Sequence, residues 1–281
     1  MDHIDEDGSE TSRPGGIFYS LLGVNSLAGA GDEIFLLTGL NPNSSQLFGH
    51  LYSKANGTFI HKIDQMPEVL LKTSAEGERE EIYKNLSSQL SIEAVNNWNM
   101  FEGILINMIT GFDISLNQLK SIRKNFKGII YFDLHTLSRG VGAGMKREFR
   151  PVPDISQWLS NIDILQCNES EIKTLVQNRS ESESAAEIIS YGVNVVIITK
   201  GDKGAELYYS GSGAVKSYFA EAVKINALNK VGCGDIFGAA FFYSYISTQN
   251  LFNSLLTANI AGAAAASIND LSSKTKIDLN A

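Results

Sequence analysis

The run Gly232-Cys233-Gly234-Asp235, continued by Ile236-Phe237-Gly238-Ala239-Ala240-Phe241, holds residue types that can handle a phosphate. Two glycines flank a small residue and an acid follows. An apolar stretch without proline then continues at helical spacing, which predicts a loop turning into a buried helix. The N–H groups of Gly232, Cys233 and Gly234 would project from that helix N-terminus, where the macrodipole favours an anion. The glycines, lacking side chains, let a phosphate approach the backbone closely. Asp235 suits the first helical turn but would repel a phosphate, so it needs a task there. The task that fits is accepting a proton from a hydroxyl that attacks phosphorus. The same residues also read as a plain turn with an acid after it.

The elements that must position this run are legible in the spacing of apolar residues. From residue 100 onward, apolar runs at 103–109, 128–133, 163–167 and 193–199 alternate with amphipathic segments at 115–126, 169–177 and 182–191. That alternation predicts an α/β fold, a mostly parallel sheet with helices on its faces. Ligands in such a fold sit beyond the C-terminal strand ends, where Asp133 and His135, Asn168 and Glu171, and Thr199 and Gly201 stand.

Earlier in the chain, Gly15-Gly16 opens a helix at Ile17–Val24. Ile34–Thr38 reads as a buried strand and 44–52 as a helix capped by serine. Residues 58–84 alternate in short runs around a Gly turn at 75–78, which predicts a small antiparallel flap, either a substrate lid or an ordinary edge hairpin, inserted in a single domain spanning 1–281. The small residues of 258–266 would allow close helix packing or form a flat wall for a planar base. Residues 270–281 are polar and expected to fray.

A net charge of −8 argues against general nucleic-acid binding. No apolar run approaches the roughly 18 residues that span a bilayer, and the acidic N-terminus lacks the order of a signal peptide. Two cysteines, Cys167 and Cys233, suggest neither a disulfide framework nor a zinc site. The expectation is a reduced, cytoplasmic protein.

Four motifs in order resemble the ribokinase-like (PfkB) family of carbohydrate kinases, and the resemblance covers most of the chain. Pro14-Gly15-Gly16 is similar to its double-glycine motif, and Asn168-Glu169-Ser170-Glu171 to its Asn-x-x-Glu. Thr199-Lys200-Gly201-Asp202-Lys203-Gly204 is similar to its Thr-x-Gly-x-x-Gly turn, and Gly232–Asp235 to the end of its Asp-Thr-x-Gly-Ala-Gly-Asp signature. The resemblance implies ATP-dependent phosphorylation of a hydroxyl on a sugar or related small molecule. Asp235 would be the base and the amides of 232–234 the anion hole. Asn168 and Glu171 would organise Mg²⁺ through water, or simply cap a helix. Thr199, Gly201, Gly204 and Asn259 would line the nucleotide. Asp2, Gly15, Gly16, Ser20, Asp133 and Arg139 would meet the acceptor beneath the lid, through which many family members dimerise.

The chain departs from the family in three places. Asn229-Lys230 replaces the usual Asp-Thr, and the Lys230 ammonium would substitute for a monovalent cation, an idea that activity rising steeply with added K⁺ would sink. Ser20 stands where the family has Asn, and 133–137 lacks its common Asn and Arg, with Arg139 as the stand-in for the latter. Met1–Ile4 resembles the end of the first core strand, the rest of which is absent. That absence implies a fragment or a rearranged sheet. The rival to a kinase is a non-catalytic sugar- or nucleotide-binding protein on the same fold. A dinucleotide-dependent oxidoreductase is excluded, because no Gly-x-Gly-x-x-Gly follows an early strand.

Overall fold

The computed structural model describes residues 1–6, 9–73 and 79–279. In chain order, β1 (Asp2–Glu6) and β2 (Ser9–Arg13) lead into α1 (Ile17–Leu27), β3 (Thr38–Leu40) and α2 (Ser45–Tyr52). Then come β4 (Ile60–Lys62), β5 (Glu68–Thr73), β6 (Arg79–Asn85), β7 (Gly103–Asn107), α3 (Leu116–Asn125) and β8 (Ile129–Asp133). A hairpin of β9 (Arg139–Val141) and β10 (Arg147–Phe149) precedes α4 (Ile155–Leu159), β11 (Ile164–Asn168), α5 (Ile172–Leu175) and α6 (Glu181–Ser190). The chain ends in β12 (Val195–Thr199), β13 (Gly204–Gly211), β14 (Ala214–Glu221), α7 (Cys233–Thr248) and α8 (Leu251–Ala266).

Six strands form the central sheet in the order β14-β13-β12-β11-β8-β7. β7, β8, β11 and β12 run parallel, and β13 and β14 return antiparallel. The strands are apolar on both faces because helices cover both, as expected for a parallel sheet. Ile130, Phe132, Leu165, Val196 and Ile198 pack against α3, α4 and α6, while Tyr131, Ile164, Val195 and Ile197 pack against α7 and α8. Capping boxes at Ser115/Gln118 and Ser180/Glu183 start α3 and α6.

The candidate lid is a separate four-stranded sheet in the order β2-β1-β5-β6. Its inward side chains Ile4, Val69, Leu71 and Tyr83 form a small core of their own. Two expectations are corrected here. Met1–Ile4 does not lie in the central sheet: β1 pairs parallel with β5 and antiparallel with β2. The 58–63 stretch does not belong to the lid either, since β4 pairs with β3. Lid strands thus come from both 2–13 and 68–85, and the predicted turn at 75–78 lies outside the described residues.

Among the described residues β7 is the edge of the central sheet. Beside it runs a groove of about 480 Å³, walled by Leu21 and Val24 of α1, Ile104 and Ile106 of β7, and Phe242 and Ile246 of α7. Three smaller expectations are also corrected. Residues 34–37 form only a bridge at Phe35, because they line this groove instead of pairing. The Ser44 side chain caps nothing, while Ser45 Oγ donates to the Pro42 carbonyl. The tail does not fray through 279: Leu271 and Ile277 are buried, and Ile277 N donates to Ser26 Oγ at 2.9 Å.

Candidate active site

Glycine at 232 is required twice over. Its φ is 80°, and a Cβ there would lie 2.5 Å from the Tyr19 ring. The left-handed turn ends the preceding loop and starts α7. Gly232 O accepts from Ile236 N, which leaves the N–H groups of Cys233, Gly234 and Asp235 without intrahelical carbonyls. Among the described residues no backbone carbonyl outside the helix takes the amides of Gly232, Cys233 or Gly234. Gly234 is exposed and Asp235 half-buried, so the cradle and its acid open to solvent. Burial and the nearby Asp235 push the Cys233 thiol up to about 11. It is therefore protonated near neutrality and contributes its backbone, not a thiolate.

Asp235 is aimed by a residue the sequence reading missed. Asn107, the last residue of β7, donates Nδ2 to Asp235 Oδ1 at 2.6 Å and to Ser20 Oγ at 2.8 Å. Ser20, expected against the acceptor, thus also orients the amide that orients the acid. The missed signal was positional, because Asn107 closes its strand as Asp133 and Asn168 close theirs. A second missed residue is Gln166, whose Nε2 donates to Gly234 O at 3.1 Å while Tyr131 OH donates to its Oε1. Gly238 makes room for it: a Cβ there would lie 2.2 Å from Gln166 Oε1.

Asp2, Gly15 and Gly16 meet at the other wall. A Cβ on Gly15 would lie 2.6 Å from the Asp2 carboxyl, and one on Gly16, whose φ is 51°, 2.2 Å from Ile109. The glycines therefore let lid, α1 and the end of β7 close together. Burial, then Asp2 and Asp235, push the Tyr19 hydroxyl above its usual range, which puts all three within electrostatic reach.

Asp133 is buried, and its Oδ1 accepts from His135 N at 3.0 Å. Burial, with Glu171 and Asp235 nearby, pushes its carboxyl well above the usual range, and a protonated carboxyl can donate as well as accept. Glu171 is 2% exposed. Burial alone would raise it, but His135, Arg139 and the Asn168 N–H together hold it below the usual carboxylate range. His135 Nδ1 lies 2.8 Å and Arg139 Nη1 3.2 Å from its Oε1. Asn168 N reaches Oε2 at 2.9 Å, and Asn168 Oδ1 accepts from Ser170 N and Glu171 N. Both residues are thus hydrogen-bonded within the chain. No group of three or more His, Cys, Asp or Glu that could hold a metal exists among the described residues.

Of the remaining predicted residues, Thr199 stands beside Asn168 in the sheet. Thr199 Oγ1 donates to Cys167 O, and Gly201 is exposed with open space beside it. Gly204 has a local structural reason to be glycine, since a Cβ would lie 2.1 Å from Ala220 O. Asn259 spends its Nδ2 on the carbonyls of Ala220 and Glu221, stapling α8 to β14. Lys230 is exposed and forms no ion pair among the described residues.

Comparison with known proteins finds likeness in sequence over part of the chain and in fold over nearly all of it. Residues 144–276 match the pfkB family of carbohydrate kinases. A ribokinase from Arabidopsis thaliana is 30% identical over 105 residues, 36% of this chain and 27% of that protein. A 5-dehydro-2-deoxygluconokinase from Lacticaseibacillus casei is 33% identical over 92 residues, 33% of this chain and 26% of that protein. The matches therefore span about a quarter of the length of these curated relatives. Over nearly the whole fold, a sulfate complex of a pyrophosphate-dependent kinase in the ribokinase family superposes with a TM-score of 0.81 at 16% identity, covering 94% of this chain and 91% of that one. A ribokinase from Thermotoga maritima gives 0.74 at 19% identity, covering 97% and 91%.

Proposed function

We propose that this chain is a kinase of the ribokinase-like (PfkB) family that transfers a phosphoryl group from ATP to a hydroxyl of a sugar or sugar derivative. The observation that carries this reading is Asp235, half-exposed beside the open amides of α7 and held by Asn107. The acceptor hydroxyl gives its proton to Asp235 as it attacks. The amides of residues 232–234 receive the negative charge on the transferring group, and fixed dipoles do this without reorganising. Asp2 and Asp133 take the acceptor's other hydroxyls, with the turn at Gly15-Gly16 and the lid above them. Mg²⁺, which keeps much of its water shell, would be held through water by Glu171 and Asn168 and would neutralise donor phosphate charge.

ATP as donor is supported by exposed Val223, Ile225 and Leu228, on a segment that runs along α8 to the amide contacts at Ala266. They leave an apolar surface for a base near Gly201. Pyrophosphate is the second reading. It is favoured by Asn259, whose Nδ2 is already spent on the β14 carbonyls of Ala220 and Glu221, and by the pyrophosphate-dependent structural neighbour.

The test is Asp235→Asn, assayed with ATP and with pyrophosphate. Turnover should fall about 10²- to 10⁴-fold, the usual worth of a general base, while donor binding by calorimetry stays within about twofold. Wild-type turnover in the variant would remove Asp235 from the role. Donor binding with no phosphoryl transfer to any sugar or nucleoside would favour the non-catalytic binding protein.

A further inference from the structure

Two side-chain amides hold the first turn of α7 from two different strands. Asn107 of β7 holds the Asp235 carboxylate, and Gln166 of β11 holds the Gly234 carbonyl through Nε2 at 3.1 Å. Gln166 is 4% exposed, on the face of the sheet where Ile164, Phe237 and Phe241 pack. Tyr131 is also buried and donates its OH to Gln166 Oε1 at 2.5 Å. Burial holds that hydroxyl well above its usual range, so it stays a donor. The Gly234 carbonyl can only accept, which fixes the amide with Nε2 toward α7 and Oε1 toward Tyr131.

This polar pair is not needed to satisfy the helix, where the carbonyl of residue 234 faces the amide four residues on. It also takes room from the helix. A Cβ on Gly238 would lie 2.2 Å from Gln166 Oε1 and 3.1 Å from Tyr131 OH, and glycine inside a helix lowers its stability. Leucine and phenylalanine would fill the same interface with no buried polar atoms to satisfy. What the pair supplies is direction. Gly234 sends its N–H toward the open end of α7 and its carbonyl back along the axis, and a glycine backbone is otherwise permissive. Fixing that carbonyl fixes the planar peptide unit joining Gly234 to Asp235, so amide and acid are held as one piece. Asn168 stands two residues beyond Gln166 on the same face of β11, so the brace also relates the cradle to the strand end proposed to organise Mg²⁺.

We propose that Gln166 is a positioning residue for phosphoryl transfer, bracing the first turn of α7 through the Gly234 carbonyl so that the cradle amides and Asp235 keep one geometry. The proposal rests on the kinase reading and deepens it.

Gln166→Leu combined with Tyr131→Phe removes the brace without leaving a buried hydroxyl unpaired. Its kcat should fall about tenfold, the worth of one misaligned hydrogen bond to a developing charge, with acceptor KM within about twofold. A residue that merely stabilised the core would move the thermal midpoint and leave both constants alone. Gln166→Glu is the second variant, since a protonated carboxyl can donate to the Gly234 carbonyl and an ionised one cannot. Burial raises a carboxyl's pKa, so the ratio of variant to wild-type kcat should stand near one at about pH 6 and fall about tenfold by about pH 9. Sulfate, titrated by calorimetry, reads the cradle without turnover and should bind the double variant about tenfold more weakly. Wild-type kcat in the double variant, a flat pH ratio for Gln166→Glu, or sulfate binding that the double variant leaves unchanged (absence of binding included) overturns the proposal. If the wild-type protein phosphorylates no acceptor, the kinase reading falls, and the sulfate titration still decides whether Gln166 shapes the cradle.

Discussion

Asp235 owes its direction to Asn107, and Asn107 shares one amide between that carboxylate and Ser20. A hydrogen bond to a charged group is worth about 1.5–3 kcal/mol, and each 1.4 kcal/mol of barrier is about tenfold in rate. Asn107→Leu should therefore lower kcat by about 10- to 100-fold while leaving KM for the donor within about twofold. Steady-state kinetics decide it, and a change confined to KM would mean that Asn107 binds substrate and does not orient the acid. Gly232 and Gly204 both match motif positions, yet for different reasons. The first bends the backbone beside Tyr19 at the cradle, and the second lets β13 pass the Ala220 carbonyl. A motif glycine can thus be a packing requirement as well as a ligand contact.

At the level of elements, the informative feature is the edge strand β7, flanked by helices yet bordered by a groove of about 480 Å³. Unpaired ladder groups beside apolar side chains invite a further strand. The Met1 ammonium donates to Pro67 O at 2.6 Å, and Pro67 lines the groove. Burial pushes that ammonium below its usual range. A β-branched extension of about five residues ahead of Met1, at about 3.3 Å per residue, would match the length of β7. Such a fusion should raise the thermal midpoint by about 4 °C or more, whereas a glycine-serine extension of equal length should not. Equal midpoints for the two fusions would show that the groove does not take a strand.

Over the whole molecule, stability is unevenly spread. The central sheet is buried on both faces, while the described lid has a core of only Ile4, Val69, Leu71 and Tyr83. It is tied to the rest by Tyr83 on Thr110 and by the Arg147–Glu81 and Lys146–Glu80 pairs. Few buried contacts imply low local opening energies. Amides of β5 and β6 should exchange at least about tenfold faster than those of β11 and β12 in the free protein, and slow when donor and acceptor are both present. Hydrogen exchange read by mass spectrometry tests this. Lid amides as protected as the central strands, or unchanged by ligands, would contradict a closing lid.

What the sequence by itself determined was whatever depends on neighbours along the chain. The apolar strands β8, β11 and β12, the capped helices α3 and α6, the turn at Gly232 and the acid after it follow from periodicity, caps and backbone permissiveness. Tertiary structure decided the pairings between distant segments. It placed β1 in the lid, paired β4 with β3, brought Asn107 and Ser20 to Asp235, and set the Arg147 guanidinium over the Tyr83 ring. Alternation says which side chains face inward, but not which strand edge they will meet. A polar residue at a strand end acquires its role only when another part of the chain arrives within hydrogen-bond reach.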